Sequence, residues 1–283
     1  MLKSVRIKND RGDILELVGS EKYSLTNITG LNPVAAVINT TSNGVHDGSR
    51  YNSSKLGTRN IVITVSLEEP VEENRMDLYR IIRPKRDVTF YLENGRRNVY
   101  IPGYVETCEL NPFSQKTEVQ ISIICPKPYF HDIEQSCEEI RGIAGLFEFP
   151  VTFPVEGVAF SEILTKHSEY VTNAGDLESG GVFTIEALGD VVDPVIRNVE
   201  TLESFSVGIS LVKGDILVIV SYETEKSITL YHQGIAYNVI NDVTDDSVWL
   251  QIPRGSFHFG LYPKLGFENA VLRITHENLY TGV

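Results

Sequence analysis

From Asn60 to Leu67 apolar and polar positions alternate, with Ile61, Ile63, Val65 and Leu67 on one side, which is the period of a strand half-buried on a sheet. The same period opens the chain. Val5 and Ile7 alternate with charged residues, Asn9-Asp10-Arg11-Gly12-Asp13 supplies turn chemistry, and Ile14 to Val18 returns, so a hairpin is expected there. After Leu67 the period changes. Pro70 stands at a helix start, Glu69, Glu72 and Glu73 crowd the first turn, Arg80, Arg83 and Lys85 the last, and Pro84 ends the run. That charge order complements a helix dipole, and Val71, Leu78 and Ile82 give a narrow apolar stripe, predicting one helix over about 70–83.

From Val88 to Phe130 the chain reads as two alternating strands, a turn and a third strand. Val99, Ile101 and Val105 share one face of the second strand and Tyr100 and Tyr104 the other; Asn111-Pro112-Phe113-Ser114 turns the chain. Val119, Ile121 and Ile123 follow in alternation, and Pro126 and Pro128 impose an extended exit. Two segments resist this pattern. Thr40 to Lys55 is polar and glycine-containing, and is expected to be a long loop, either plain surface or an arm that orders on assembly. Leu146 to Phe160 is aromatic and proline-broken, suiting an edge or linking strand.

Beyond Asn173, turn signals separate short β runs at 182–186, 195–199, 206–212, 216–222, 227–231, 248–252, 258–262 and 270–276, a rhythm that argues for a β-sandwich. The fold class is therefore mainly β: an antiparallel N-terminal domain with one helix over residues 1–138, then a linker and a sandwich over 139–283.

Charge sharpens the division. Residues 1–130 hold 17 Lys+Arg against 15 Asp+Glu, and residues 131–283 hold 8 against 23. So acidic a second half repels phosphates and argues against nucleic-acid recognition. No run of about 18 apolar residues occurs, so no membrane insertion is expected, and the start MLKSVRIKND lacks the apolar centre of a secretory signal. Cys108, Cys125 and Cys137 form neither a metal spacing nor an even disulfide set and are expected to be reduced.

Catalytic grammar is missing. Gly208-Ile209-Ser210-Leu211-Val212 falls one glycine short of a nucleophile elbow, and no phosphate-cradling glycine loop is present. The histidines show no metal pairing, and Asn241, Asp242, Asp245 and Asp246 lack EF-hand spacing, which leaves a solvated acidic turn. Arg11-Gly12-Asp13 reads as a polar hairpin tip and the sequons at Asn27, Asn39 and Asn52 as surface positions. The expectation is a protein that is not an enzyme, with no catalytic residues, metal or cofactor.

The order of parts resembles the distal tail proteins of long-tailed bacteriophages, through LGTRNIVITVSLEEPVEENRMDLYRII, the strand ending ICPKPYF, FEFPVTFP, NAGDLESGG, DPVIRN, KGDILVIVS, VWLQIPRGSFHFG and the final LYTGV. The resemblance covers essentially the whole chain. It implies a tail-tip virion protein assembled in the host cytoplasm. Its N-terminal domain would close into a homo-hexameric ring joining the tail tube protein to the tail-tip hub or tail-associated lysin, with a receptor-binding protein as a further partner. It also implies a galectin-like or carbohydrate-module-like C-terminal sandwich.

Ring contacts need exposed edges, arms and aromatic anchors. Tyr51 in the 40–55 segment, Tyr100 and Tyr104, and Pro112 and Phe113 in the turn are the interface candidates. The alternative for Tyr100 and Tyr104 is ordinary packing on both faces. Alternation through 248–252 puts Val248, Leu250 and Ile252 inward and Trp249 outward, where Trp249 with Tyr231 or Tyr237 would serve a saccharide, the competing function. Core packing or a protein contact is the other reading of Trp249.

Overall fold

A computed structural model describes residues 2–42, 44, 46–111, 117–141, 143–145, 161–163 and 167–283, and the turn holding Pro112 and Phe113 and the FEFPVTFP segment lie outside the described residues. The chain divides into two units, residues 1–133 with 279–283, and residues 134–278.

In the first unit the strands are β1 (Leu2–Asn9), β2 (Ile14–Glu16), β3 (Tyr23–Thr29), β4 (Ala36–Ser42), β5 (Ser49–Leu56), β6 (Arg59–Leu67), β7 (Asp87–Asn94), β8 (Asn98–Asn111), β9 (Glu118–Cys125) and β10 (Phe130–Asp132), with helix α1 (Val71–Ile81) between β6 and β7. The main sheet runs β2-β1-β7-β8-β9-β6-β3, all antiparallel, and Leu279–Tyr280 returns to pair with β10. Alternation does the work expected of it. Ile61, Ile63, Ile101, Ile121 and Phe90 are all fully buried on one face, and Leu78 of α1 joins the same core. The helix begins after Pro70, with Glu72 and Glu73 in its first turn and Arg80 in its last. Asn74 is also buried there, donating to the Glu68 carbonyl at 2.9 Å, while its own carbonyl accepts from the Tyr23 hydroxyl at 3.0 Å.

One buried cation pins three remote segments to β6. Arg59, 1 % exposed, donates to the carbonyls of Pro128 (2.8 Å), Asn32 (2.8 Å), Thr281 (2.7 Å) and Gly30, with its guanidinium carbon 4.4 Å from the Phe130 ring centre. Burial pushes its pKa down. Gly30 has φ +86°, and a Cβ there would meet the Asn60 carbonyl at 2.1 Å, so only glycine fits the approach. The last residues are held the same way: Arg97 donates to the Gly282 carbonyl, Tyr280 to Asp132 at 2.9 Å, and the Val283 amide to Leu31 at 3.1 Å. Nothing in the periodicity of LYTGV signals this return to the first unit.

The segment expected as a loop over 40–55 is instead a two-stranded hairpin, β4 paired with β5 from Ala36↔Leu56 to Ser42↔Ser49 with a bulge at Asn39/Thr40. It has no buried face, so the polar pattern that suggested a loop arises from a strand pair exposed on both sides.

The second unit contains β11 (Ser136–Arg141), β12 (Ile143–Gly145), β13 (Ser161–Ile163), β14 (Ser168–Asn173), β15 (Gly181–Ala187), β16 (Val191–Val192), β17 (Val195–Asn198), β18 (Ser204–Ser206), β19 (Ser210–Leu211), β20 (Ile216–Tyr222), β21 (Glu225–His232), β22 (Ile235–Asn238), β23 (Gly255–Leu261) and β24 (Ala270–His276). A six-stranded sheet, β11-β24-β15-β20-β21-β22, and a four-stranded sheet, β14-β23-β17-β18, contribute Phe183, Ile185, Leu272, Phe259, Leu261 and Phe205 to one core. This is the expected sandwich. The run at 248–252 departs from expectation: it is no strand but an irregular segment with one bridge, Ser179↔Ile252. Val248 is 47 % exposed, while Leu250 and Ile252 are buried.

His276 sits in that core fully buried, and neither ring nitrogen has a hydrogen-bond partner. Burial pushes its pKa below the usual 6.5, only partly offset by the nearby peptide groups of Glu277 and Thr172. A histidine kept neutral when folded contributes stability that is present above its unfolded pKa. That contribution is lost as pH falls from about 6.5 toward the lower folded pKa. Thermal melts between pH 7.5 and 5 should therefore show a fall in stability that His276→Leu, compared with the parent at each pH, largely abolishes. Parallel curves for the two proteins would refute this.

Candidate functional site

The exposed hairpin has two unlike faces. The register and the bulge place Ala36, Ile38, Thr40, Tyr51, Ser54 and Leu56 on one side; Val37, Asn39, Thr41, Arg50, Asn52, Ser53 and Lys55 lie on the other. Side-chain bonds agree with this division: Tyr51 with Ser54 (2.9 Å), Asn39 to Ser53 (3.0 Å) and Asn52 to Thr41 (2.6 Å). Every residue of both strands is exposed, including Ile38 at 61 %, Tyr51 at 60 % and Leu56 at 38 %. A lone two-stranded hairpin is marginal in water, and an uncovered apolar face on it is costly, so this geometry suits an element that another surface covers.

A second feature lies on the outer face of the main sheet. Strand β8 pairs with β10 at Val99 and Tyr100 but with β9 from Tyr104 onward. At the exchange stands Pro102, which has no amide to donate. Next to it is Gly103, where a Cβ would sit 2.8 Å from Ile123 and 2.9 Å from Cys125 Sγ. The result is a concavity of about 500 Å³ whose lining includes Tyr100, Pro102, Tyr104, Pro126, Lys127 and His131. Tyr100 lies 5.2 Å from the stacked His131 ring and Tyr104 is 48 % exposed. Tyr100 and Tyr104 thus share one surface opposite the buried Val99, Ile101 and Val105, as alternation requires. Tyr51 lies on the hairpin.

Trp249 does not stand free. Its ring lies 4.9 Å from Phe205, with Lys226 Nζ 5.5 Å from its centre, half-buried against the core. Tyr231 and Tyr237, 43 % and 46 % exposed, occupy opposite faces of the six-stranded sheet. Tyr231 is in register with Ile216 and Ala236, and Tyr237 with Leu230, whose partner is the buried Leu217. The three residues therefore do not build one stacking platform.

Other candidates acquire structural roles. Gly208 accepts no helix; its amide donates to the Asp242 carbonyl at 2.8 Å. Among the described residues no group of three or more His, Cys, Asp or Glu is placed to hold a metal ion. The three cysteines are free thiols, and burial raises Cys108 and Cys125 to about 12. Among the described residues no helix is long and apolar enough to cross a membrane. Sequence reasoning missed the pairing of the buried Asp215 with His232 (2.7 Å) and the surface pairing of Glu200 with His258 (2.6 Å), because each joins residues that only folding brings together.

No family model and no curated protein matches the chain. Solved structures do. The chain is similar to the crystal structure of the SPP1 Dit protein, described as a paradigm of the hub adsorption apparatus in phages that infect Gram-positive bacteria. That match has a TM-score of 0.68 at 10 % identity and covers 97 % of this chain and 99 % of that one. It is also similar to chains of the phage p2 baseplate in its activated conformation. With calcium the TM-score is 0.52 at 12 % identity, covering 100 % of both chains; with strontium it is 0.52 at 11 %, covering 99 % of both. At these identities the likeness is one of fold, and it extends over the full length.

Proposed function

We propose that this chain is a structural, non-enzymatic tail-tip protein of a phage or a tail-like particle, working as a ring. Six copies close by rotation, each meeting its neighbour through one heterologous contact. The ring joins the tail tube to the tail-tip hub or lysin, with a receptor-binding protein as a further partner. The supporting observation is the hairpin of β4 and β5, an amphipathic strand pair with its apolar face bare in the single chain. A neighbouring copy that covers Ile38, Tyr51 and Leu56 would remove that exposed surface, and the polar face would then line the open side. The concavity around Tyr100 and Tyr104 supplies a second contact surface for the ring or for a tail partner. The likeness to hub and baseplate structures agrees with this reading. The ring part is assigned to residues 1–133 with 279–283 and the sandwich part to residues 134–278, since the expected limit at 138 would fall inside β11.

Light scattering and negative-stain electron microscopy of the purified protein test it. Six chains of 31.6 kDa should give a species of roughly 190 kDa with a central opening. A strictly monomeric protein that also fails to join tail particles would overturn it.

A further inference from the structure

The two outer faces of the sandwich differ in chemistry. On the six-stranded sheet the outer positions include Val182, Val218 and Thr184, with Tyr231 beside Ile216 and Arg273 bridging Glu139 and Glu186. On the four-stranded sheet they form an aromatic strip with fixed polar groups. Tyr170 is 56 % exposed, and its ring lies 3.8 Å from that of His258, directly opposite in register. His258 is held twice by Glu200, through Nδ1 at 2.6 Å and through its own amide at 2.8 Å. Those bonds keep the Glu200 carboxyl below its usual range, and hence ionised.

The strip continues along β23. At Gly260 a Cβ would lie 2.6 Å from the Tyr262 ring and 2.8 Å from its hydroxyl, so that ring folds across the strand where a side chain would otherwise stand. His167 stacks on one side of Tyr262 at 5.7 Å, and the Arg197 guanidinium lies 5.5 Å from its centre. At the other end Thr172 and Ser256 share a hydroxyl pair at 2.9 Å.

We propose that this face, centred on Tyr170, His258 and Glu200, binds a neutral saccharide. A pyranose ring has an apolar C–H face for the exposed tyrosine and vicinal hydroxyls for paired carboxylate, imidazole and guanidinium donors and acceptors. Glu200 fixes the imidazole by Nδ1 and leaves Nε2 to meet a ligand hydroxyl, so little ordering is required on binding. The sugar class follows from charge: residues 134–278 carry 8 Lys+Arg against 22 Asp+Glu, a field that repels anionic polymers and is indifferent to a neutral one. The inference relocates saccharide recognition from Trp249, Tyr231 and Tyr237 to a surface the sequence did not single out.

Affinity electrophoresis of the full chain through gels containing an α-glucan, a β-glucan or a galactomannan tests it, with polygalacturonate as the anionic control. At least one neutral polysaccharide should retard the protein. Tyr170→Ala and Glu200→Gln should each weaken that retention about ten-fold, while Tyr231→Ala leaves it unchanged. Absence of retardation on every neutral polymer overturns the proposal, as does full retention by Tyr170→Ala or stronger retention on polygalacturonate. If Tyr170→Ala instead impairs capture of another tail protein, with no polysaccharide bound, the face is a protein interface and the proposal fails. Circular dichroism and particle mass, measured on the same variants, separate these outcomes from loss of folding or of the ring.

Discussion

Arg59→Ala should destabilise the first unit by about 3–5 kcal/mol, the largest single-residue effect expected in the chain. The guanidinium is the shared donor for four main-chain carbonyls, drawn from residues 30, 32, 128 and 281, and no carboxylate takes part. Its removal strips a donor from each carbonyl in a site only 1 % exposed and takes away the surface packed on Phe130. Each orphaned acceptor costs on the order of 1 kcal/mol or more, and partial entry of water keeps the sum at the stated level. Arg59→Lys should recover less than half, because one ammonium cannot present the planar fork that reaches four divergent oxygens. Deleting Leu279–Val283 leaves three carbonyls served but removes the Thr281 acceptor, the bonds to Asp132, Arg97 and Leu31 and the buried Tyr280 ring, so a loss of the same order is expected. Denaturant melts followed by hydrogen exchange in β6 and β9 measure all three. The lone tryptophan, Trp249, lies in the second unit and reports that unit separately. An unchanged melt for Arg59→Ala would remove the clasp from this account.

What the sequence made legible was what burial imposes on it. Ile61, Ile63 and Val65 repeat every second residue because one face of β6 must enter the core, and that constraint leaves a readable period. The helix was equally readable, since Pro70, Glu72, Glu73 and Arg80 answer to the dipole and to backbone geometry, both local. The hairpin escaped because neither face is buried in the single chain, so no core shaped its pattern. The surviving signals were weaker ones, the Asn43-Gly44 dipeptide and the alternation of Ala36, Ile38 and Thr40. Arg59 leaves no mark in the pattern, because its partners come from segments that only folding brings together. For Trp249 the strand period pointed outward, but the segment is irregular and the side chain packs on Phe205, in line with the core-packing reading. The Tyr170–His258 strip needed the register of β14 against β23, which no periodicity supplies.

Charging the apolar face of the hairpin should dissolve the proposed ring without unfolding the subunit. Ile38→Asp combined with Tyr51→Ser replaces two side chains that are 61 % and 60 % exposed in the single chain, so its melting point should move little, within about 0.5 kcal/mol. In the proposed ring the same positions would be covered. Losing the apolar contact of an isoleucine and a tyrosine, and burying a carboxylate in their place, should weaken each contact by about 3 kcal/mol or more, over a hundred-fold. A closed ring of six would repeat that penalty at every junction, so the expected product is a folded monomer. The opposite face provides the control. Thr41→Glu lies among Asn39, Asn52 and Arg50, on the side left open to water, and should leave the assembled mass unchanged. Were Thr41→Glu as disruptive as the double variant, both faces would be interfacial and the orientation argued here would be wrong. If instead the double variant kept its full mass, the hairpin would not be the ring contact, and the concavity around Tyr100 and Tyr104 would become the place to seek it.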